Sequence, residues 1–268
     1  MKCNICKSTS NLFSKHQILG KYDIAYYQCT ECGFVQTESP YWLDEAYSEA
    51  IADSDIGLVY RNLNLSILTN RMISNHFNSD ASFLDYGGGY GLFVRLMRDN
   101  GFDFHWEDKF CENIFAKNFL LKPNIKYELV TAFEVFEHLP DPLMEIEAML
   151  QFSDSILFST ELLPADNPRP GEWWYYAPQT GQHISLYTYK SLQEIARQLG
   201  LKCYSDSSSN HLLSRREMTD DIFKLLPITA PRKSLLFQDA AKLLTVDQKN
   251  QTEENSPEVS TPIDGSIG

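Results

Sequence analysis

Four cysteines stand in two pairs near the start of the chain, Cys3-x-x-Cys6 and Cys29-x-x-Cys32, with 22 residues between the pairs. Thiolates at this spacing close a tetrahedron around Zn²⁺ as a ribbon of two knuckles, and Gly33 suits the turn after the last of them. An iron centre of the rubredoxin type uses the same knuckles, and a redox dithiol pair is the reading without a metal. Four thiolate ligands leave no open position for a substrate, so the expected site is structural. A second constellation is Asp85-Tyr86-Gly87-Gly88-Gly89-Tyr90-Gly91. Glycines let the backbone approach a ligand closely and adopt positive φ. The dinucleotide fingerprint G-x-G-x-x-G fails here because no glycine lies three residues after Gly89. An acid just before the loop suits a cationic or hydroxyl-bearing ligand better than a pyrophosphate. Glu107-Asp108 follows, with Asp108 lying 17 residues after Gly91, where a carboxylate accepts both hydroxyls of a ribose. A third group is Glu134, Glu137 and His138, joined from a later segment by His183. Two histidines and carboxylates at one cleft either hold a divalent metal or supply a general base for a substrate hydroxyl.

The elements that position these residues alternate between strand and helix from Ser82 onward, the pattern of an α/β sheet. Residues 82–86 read as a buried strand running into the glycine loop, and the helix after it carries Leu92, Phe93, Leu96 and Met97 on one face. Residues 102–106, 127–133 and 155–159 read as further strands, with a helix opened by Asp141-Pro142 between the last two. A helix over 188–199 ends at Gly200, and strands over 201–205 and 209–214 close the domain. Residues 161–187 read as one long connection holding Trp173, Trp174, Tyr175 and Tyr176. At least two of these aromatics are expected to pack over the sheet edge, and the rest to form a lid that excludes water.

Three segments in this order carry a resemblance. Residues 83–91 resemble motif I of class I S-adenosylmethionine-dependent methyltransferases. Thr131-Ala132-Phe133-Glu134-Val135-Phe136-Glu137-His138-Leu139-Pro140-Asp141-Pro142 is similar to the post-strand motif of the subgroup that includes ubiquinone-biosynthesis O-methyltransferases, and residues 181–188 also look like that subgroup. The resemblance spans residues 60–215 or so. It implies a Rossmann-like α/β methyltransferase sheet of seven strands with helices on both faces. It further implies S-adenosylmethionine bound by Asp85, Gly87, Gly88, Gly89, Gly91, Asp108, Phe133 and Glu134, with His183, His138 and Glu137 on the catalytic side. One departure is that the segment from Cys111 to Lys126 is too short for a full βα unit. Some sugar C-methyltransferases also look similar, having an N-terminal zinc module, though they carry a further C-terminal domain.

The 268 residues, 43% of them hydrophobic, suffice for one good-sized domain with a packed core. The organisation expected is a zinc-ribbon module over 1–38, a helical connector over 39–80 with helices at 41–52 and 57–77, and the methyltransferase domain over 81–215. A helical extension over 216–246 and a disordered acidic tail over 247–268 follow. A formal net charge of −13 disfavours nucleic acid as a partner. No run approaches the ~20 apolar residues of a membrane span, and the first residues lack the apolar core of a signal peptide. A cytoplasmic location follows as the expectation. The activity expected is methyl transfer to a small-molecule, sugar or glycan-type acceptor, with O-methylation leading, sugar C-methylation second, and non-catalytic binding of adenosylmethionine as the competing class. Cys111 and Cys203 read as small buried hydrophobes.

Overall fold

The structure is a computed structural model that describes residues 1–47, 56–219 and 221–224. The N-terminal segment forms a hairpin of β1 (Ser10–Ile18) and β2 (Tyr22–Cys29), turned at Leu19-Gly20, both in the left-handed region. The short β3 (Val35–Thr37) pairs antiparallel with β2. Of the helix expected over 41–52, only α1 (Leu43–Ala46) lies among the described residues, since 48–55 fall outside them. The second connector helix is α2 (Leu58–His76), which buries Leu65, Met72 and Ile73.

The sequence from Ser82 folds as its pattern of alternating strands and helices predicts. β4 (Ser82–Tyr86), α3 (Leu92–Asp99), β5 (Asp103–Glu107), β6 (Val130–Phe133), α4 (Pro142–Met149) and β7 (Ser155–Ser159) succeed one another. α4 starts where Asp141 accepts a hydrogen bond from the Met144 amide and proline occupies the first turn. After β8 (Ser185–Leu186), α5 (Tyr189–Leu199) opens on a Thr188–Ser191 capping box and stops at Gly200 with φ 67°. β9 (Lys202–Ser205) and β10 (Asn210–Ser214) follow.

The larger sheet has the order β5-β4-β6-β7-β10-β9, with the first four strands parallel and β10 antiparallel to both neighbours. Its strands alternate between two cores. Leu84, Ile156 and Phe158 face α4 and α5, while Phe83, Phe104 and Leu157 face α2 and α3. Burial on both faces explains their near-continuous apolar runs. This is the Rossmann-like α/β sheet expected, with six strands among the described residues in place of seven. The short segment after Cys111 supplies no crossover helix among them. All that remains of an edge strand there is an isolated parallel bridge from Leu120 to Trp106. Sheet pairing in the third strand starts at Val130 rather than Tyr127.

The long connection over 161–187 contains more structure than its sequence suggests. Trp174–Tyr176 make a 3-10 turn, and Ser185–Leu186 form the last strand of the N-terminal sheet, in the order β1-β2-β3-β8. The module and the α/β body also share one hydrophobic cluster, in which Cys3, Cys32 and Phe34 join Phe136, Tyr187, Leu192 and Ile195. Cys111 and Cys203 are partly buried thiols. Of the expected helical extension, residues 225–246 lie outside the described residues, as does the tail over 247–268. Among the described residues no helix is long and apolar enough to cross a membrane.

Candidate active site

The carboxyl ends of β4, β5 and β6 open onto one cavity of about 990 Å³. This is where ligands enter open parallel sheets. Gly87, Gly88 and Gly89 line it directly, together with Asp85, Asp108, Phe133, Glu134, His138 and His183. Gly91 and Glu137 stand behind the wall. Gly87 (φ 69°) has no room for a side chain, since a Cβ there would sit 2.7 Å from Val135 Cγ2. Gly91 (φ 84°) is the N-cap of α3, and its Cβ would meet Asn113 Oδ1 at 2.7 Å.

The acids around the loop divide their work. Asp85 is buried and accepts from the Thr131 hydroxyl at 2.7 Å; burial raises its pKa to about 7. Asp108 spends both oxygens on the backbone, Oδ1 accepting from the Phe110 and Cys111 amides and Oδ2 from the Gly89 amide. It thereby ties the β5 end to the glycine loop. Glu107, the last residue of β5, lines the cavity without a side-chain hydrogen bond among the described residues. Burial and then the neighbouring Asp108 push its pKa up. Tyr86 donates a short hydrogen bond to Glu145 on the same wall, and Lys109 pairs with Glu145 at 3.4 Å.

On the opposite wall, Glu134, the residue after β6, lies in the left-handed region at φ 55°, unusual for a residue with a side chain. Ser159 holds it there, accepting from the Glu134 amide and donating to its Oε1 at 2.8 and 2.7 Å. Arg61 of α2 reaches its other oxygen at 3.8 Å. The chain then makes a 3-10 turn over Phe136–His138. The His138 and His183 rings meet edge to face at 5.0 Å. Each Nδ1 contacts a backbone carbonyl, that of Gln182 for His138 and that of Tyr175 for His183. A carbonyl only accepts, so Nδ1 carries the proton in both rings and each Nε2 keeps a lone pair. Burial, with the other ring as a lesser cause at His183, lowers His183 to about 3, and burial lowers His138 to about 4. Glu137 is fully buried, neither oxygen has a hydrogen-bond partner among the described residues, and burial raises its pKa. Ligand atoms of Glu137, His138 and His183 lie within 4.8 Å of one another, so the three residues paired by sequence do converge.

The aromatic segment is split. Tyr175 and Tyr176 are buried, the latter edge to face with Tyr26, whereas Trp174 is 73% exposed on the cavity rim. Across the rim Phe110 stacks on Tyr47 at 5.4 Å. Arg61, Tyr47, Glu107 and Ser159 belong to this site, and only Glu107 carried any sequence signal, as the acid beside Asp108. No motif marks the other three, which the fold brings in from separate elements.

The four cysteines form a separate cluster away from the cavity. Cys3 and Cys32 Sγ lie 3.7 Å apart, Cys6 and Cys29 Sγ 3.3 Å, and all four fall within 4.8 Å. A zinc tetrahedron with Zn–S of about 2.3 Å has edges of about 3.8 Å. The Glu31 and Cys32 amides point at Cys29 Sγ, as knuckle amides do toward a thiolate. The Cys32 thiol donates to Cys3 and holds its pKa below the usual thiol range. The donor set and spacing fit a tetrahedral ion.

The family model described as a methyltransferase domain matches residues 60–206, more than half of the chain. The chain belongs to this methyltransferase family. Membership makes residues 60–206 a methyltransferase domain. No curated protein matches the methyltransferase in sequence. Solved structures similar to it include CalO1, a methyltransferase in calicheamicin biosynthesis, in its SAH-bound form, at 14% identity and TM-score 0.41, covering 66% of this chain and 60% of that one. The plantazolicin methyltransferase BpumL in complex with SAH is 12% identical at TM-score 0.41, with 65% and 89% covered. Human N-acetylserotonin methyltransferase in complex with SAM is 14% identical at TM-score 0.42, with 66% of each chain covered.

Proposed function

We propose that the methyltransferase moves a methyl group onto a hydroxyl of an uncharged small molecule or glycan-type acceptor, with His183 as the general base. The observation that carries this reading is that the glycine loop and both histidines, whose Nδ1 atoms are taken up by backbone carbonyls, line one cavity. About 990 Å³ accommodates a nucleoside-sized donor with an acceptor beside it. Asp44, Asp85, Glu107, Asp108, Glu134 and Glu145 on its walls outnumber Arg61 and Lys109. That balance suits a cationic donor and opposes a phosphorylated or nucleotide-linked acceptor, which weighs against sugar C-methylation of an activated sugar. The likeness of residues 131–142 to ubiquinone-type O-methyltransferases supports oxygen as the acceptor atom.

When bound, S-adenosylmethionine supplies an electrophilic methyl on a sulfonium. Glu107 is placed to accept from the ribose hydroxyls, and Asp108 keeps the loop amides in position. His183, oriented by the Tyr175 carbonyl, takes the acceptor's proton on Nε2 as the oxygen–carbon bond forms. Burial opposes an isolated imidazolium at His183, and the Glu137 carboxyl within 4.8 Å is the group placed to offset that charge while the proton is held. A second reading rests on the orphaned Glu137 carboxylate. Together with one ring nitrogen from each of His138 and His183 it would hold a divalent cation that polarises the acceptor hydroxyl. The four-cysteine site is read as a structural zinc site.

The test is release of S-adenosylhomocysteine and mass gain of a methyl across hydroxylated and sugar acceptors with labelled donor. His183→Ala should lower kcat by about 10²–10⁴-fold with donor affinity nearly unchanged. Full turnover in that variant removes the base. Paramagnetic resonance with Mn²⁺ decides the second reading, since binding that survives His183→Ala is not at this site. Donor binding with no transfer to any acceptor would leave a non-catalytic binding protein.

A further inference from the structure

The turn that carries Glu137 and His138 is held from outside its own strand. Four of its carbonyls accept hydrogen bonds. Tyr187 Oη donates to Phe136 O at 2.9 Å, the Ile184 amide to Glu137 O at 2.9 Å, Ser185 Oγ to Leu139 O at 2.7 Å, and Asn4 Nδ2 to Pro140 O at 2.9 Å. Three of these donors lie in or beside β8, just after His183. The fourth lies between the cysteines of the first knuckle. β8 is itself held by the N-terminal module, through Val35↔Leu186 and Gln36↔Ser185 pairing in β3 and the Thr37 amide on Ile184 O.

Gln36 joins the two attachments. It is 1% exposed; its Oε1 accepts from the Asn4 amide at 2.8 Å, and its Nε2 donates to Lys2 O and Asn4 Oδ1 at 3.2 and 3.3 Å. The second knuckle is tied in as well, since Thr188 Oγ1 donates to Cys32 O at 2.6 Å. Buried polar networks of this kind, fully satisfied, fix one arrangement where apolar packing would tolerate several. The glycine loop takes no part in it. Its own hydrogen bonds run to Trp106 and Glu107 of β5, to Asp108 just after it, and to Ile114 and Phe115.

We infer that the four-cysteine module is the positioning element of the acceptor side of the active site, setting the placement of His183 and of the Glu137–His138 turn through Gln36, Asn4 and β8 while leaving the donor side untouched. The inference rests on the reading above that these residues face the acceptor. Loss of the metal frees the knuckles, then β3 and β8, and the histidines lose register. A misplacement of about 1 Å costs on the order of 10²-fold in rate.

The experiment compares the full-length metal-loaded protein, the same protein after chelation of zinc, and Asn4→Ala, which keeps all four cysteines. Hydrogen exchange at Ile184, His138 and Leu139 should speed up by about tenfold or more on chelation and recover on adding Zn²⁺. Affinity for S-adenosylhomocysteine should hold within about twofold, a shift of under about 0.5 kcal/mol. Asn4→Ala should keep its zinc by elemental analysis yet lose kcat about 10-fold or more, with donor affinity unchanged. Unaltered exchange at those amides after zinc loss, or full kcat in Asn4→Ala, overturns the inference. Full turnover in His183→Ala instead overturns the proposed base while leaving the exchange result standing, so the two failures are distinct.

Discussion

At the end of β5, Asp108 turns its carboxylate back onto three backbone amides, while Glu107 keeps its own on the cavity wall. Spacing from the glycine loop singled out Asp108 of the two adjacent acids as the ribose ligand, but which of them faces the cavity depends on where the chain bends after the strand, and that bend has no sequence signal. Glu107→Ala should weaken donor binding about 10–100-fold, the value of charge-assisted hydrogen bonds to a diol. Asp108→Asn, which retains an acceptor for the amides, should cost far less affinity. Calorimetric titration of both separates the roles, and the reverse ranking would return the ribose to Asp108. Asp85 supplies a pH signature. Its folded pKa of about 7 lies above the ordinary 3.8, so folding favours its protonated form, and that contribution to stability is lost as pH rises from about 4 through about 7. A cationic donor favours the ionised form. Donor affinity should therefore rise with pH up to about 7 and then level off, with a proton released on binding below that pH. In Asp85→Asn the dependence should vanish, and a slope that persists there would assign it to another group.

The elements were legible where local chemistry decides them. Asp141-Pro142 and Thr188 with Gly200 mark the ends of α4 and α5 without reference to the rest of the chain. Gly87 to Gly91 mark the turn from β4 into α3. β8 was not legible, since two residues inside a long connection carry no period and their partner strand lies in the N-terminal module. Nor was the missing edge strand fully legible, although the short segment after Cys111 pointed to it. The 3-10 turn at Trp174–Tyr176 divides its aromatics by anchoring Tyr175 and Tyr176 inward, which leaves Trp174 alone on the rim. Trp174→Ala should raise KM for the acceptor about 3–10-fold, as loss of one aromatic contact of ~1 kcal/mol would, with kcat and donor affinity little changed. Steady-state kinetics in both substrates checks this, and an equal loss of donor affinity would place the ring on the other side of the cavity.

Across the whole molecule, the two faces of the six-stranded sheet bury separate cores, and the N-terminal module belongs to only one of them. The proposed donor side and acceptor side thus rest on different parts of the chain. β4, α3 and β5 sit next to one another in sequence, while β3 and β8 meet across about 150 residues. Time enters here. Contacts between neighbours close quickly, and a contact that must first close so long a loop forms late, because the chain loses its freedom before the contact repays it. The glycine loop is expected to acquire its shape early in folding and the histidine cleft to be completed last. Pulsed hydrogen labelling during refolding would record this as protection of the Gly87 and Gly88 amides before those of Ile184 and Leu186. A nascent chain released before Leu186 would then hold a formed donor site and an N-terminal sheet still waiting for its fourth strand.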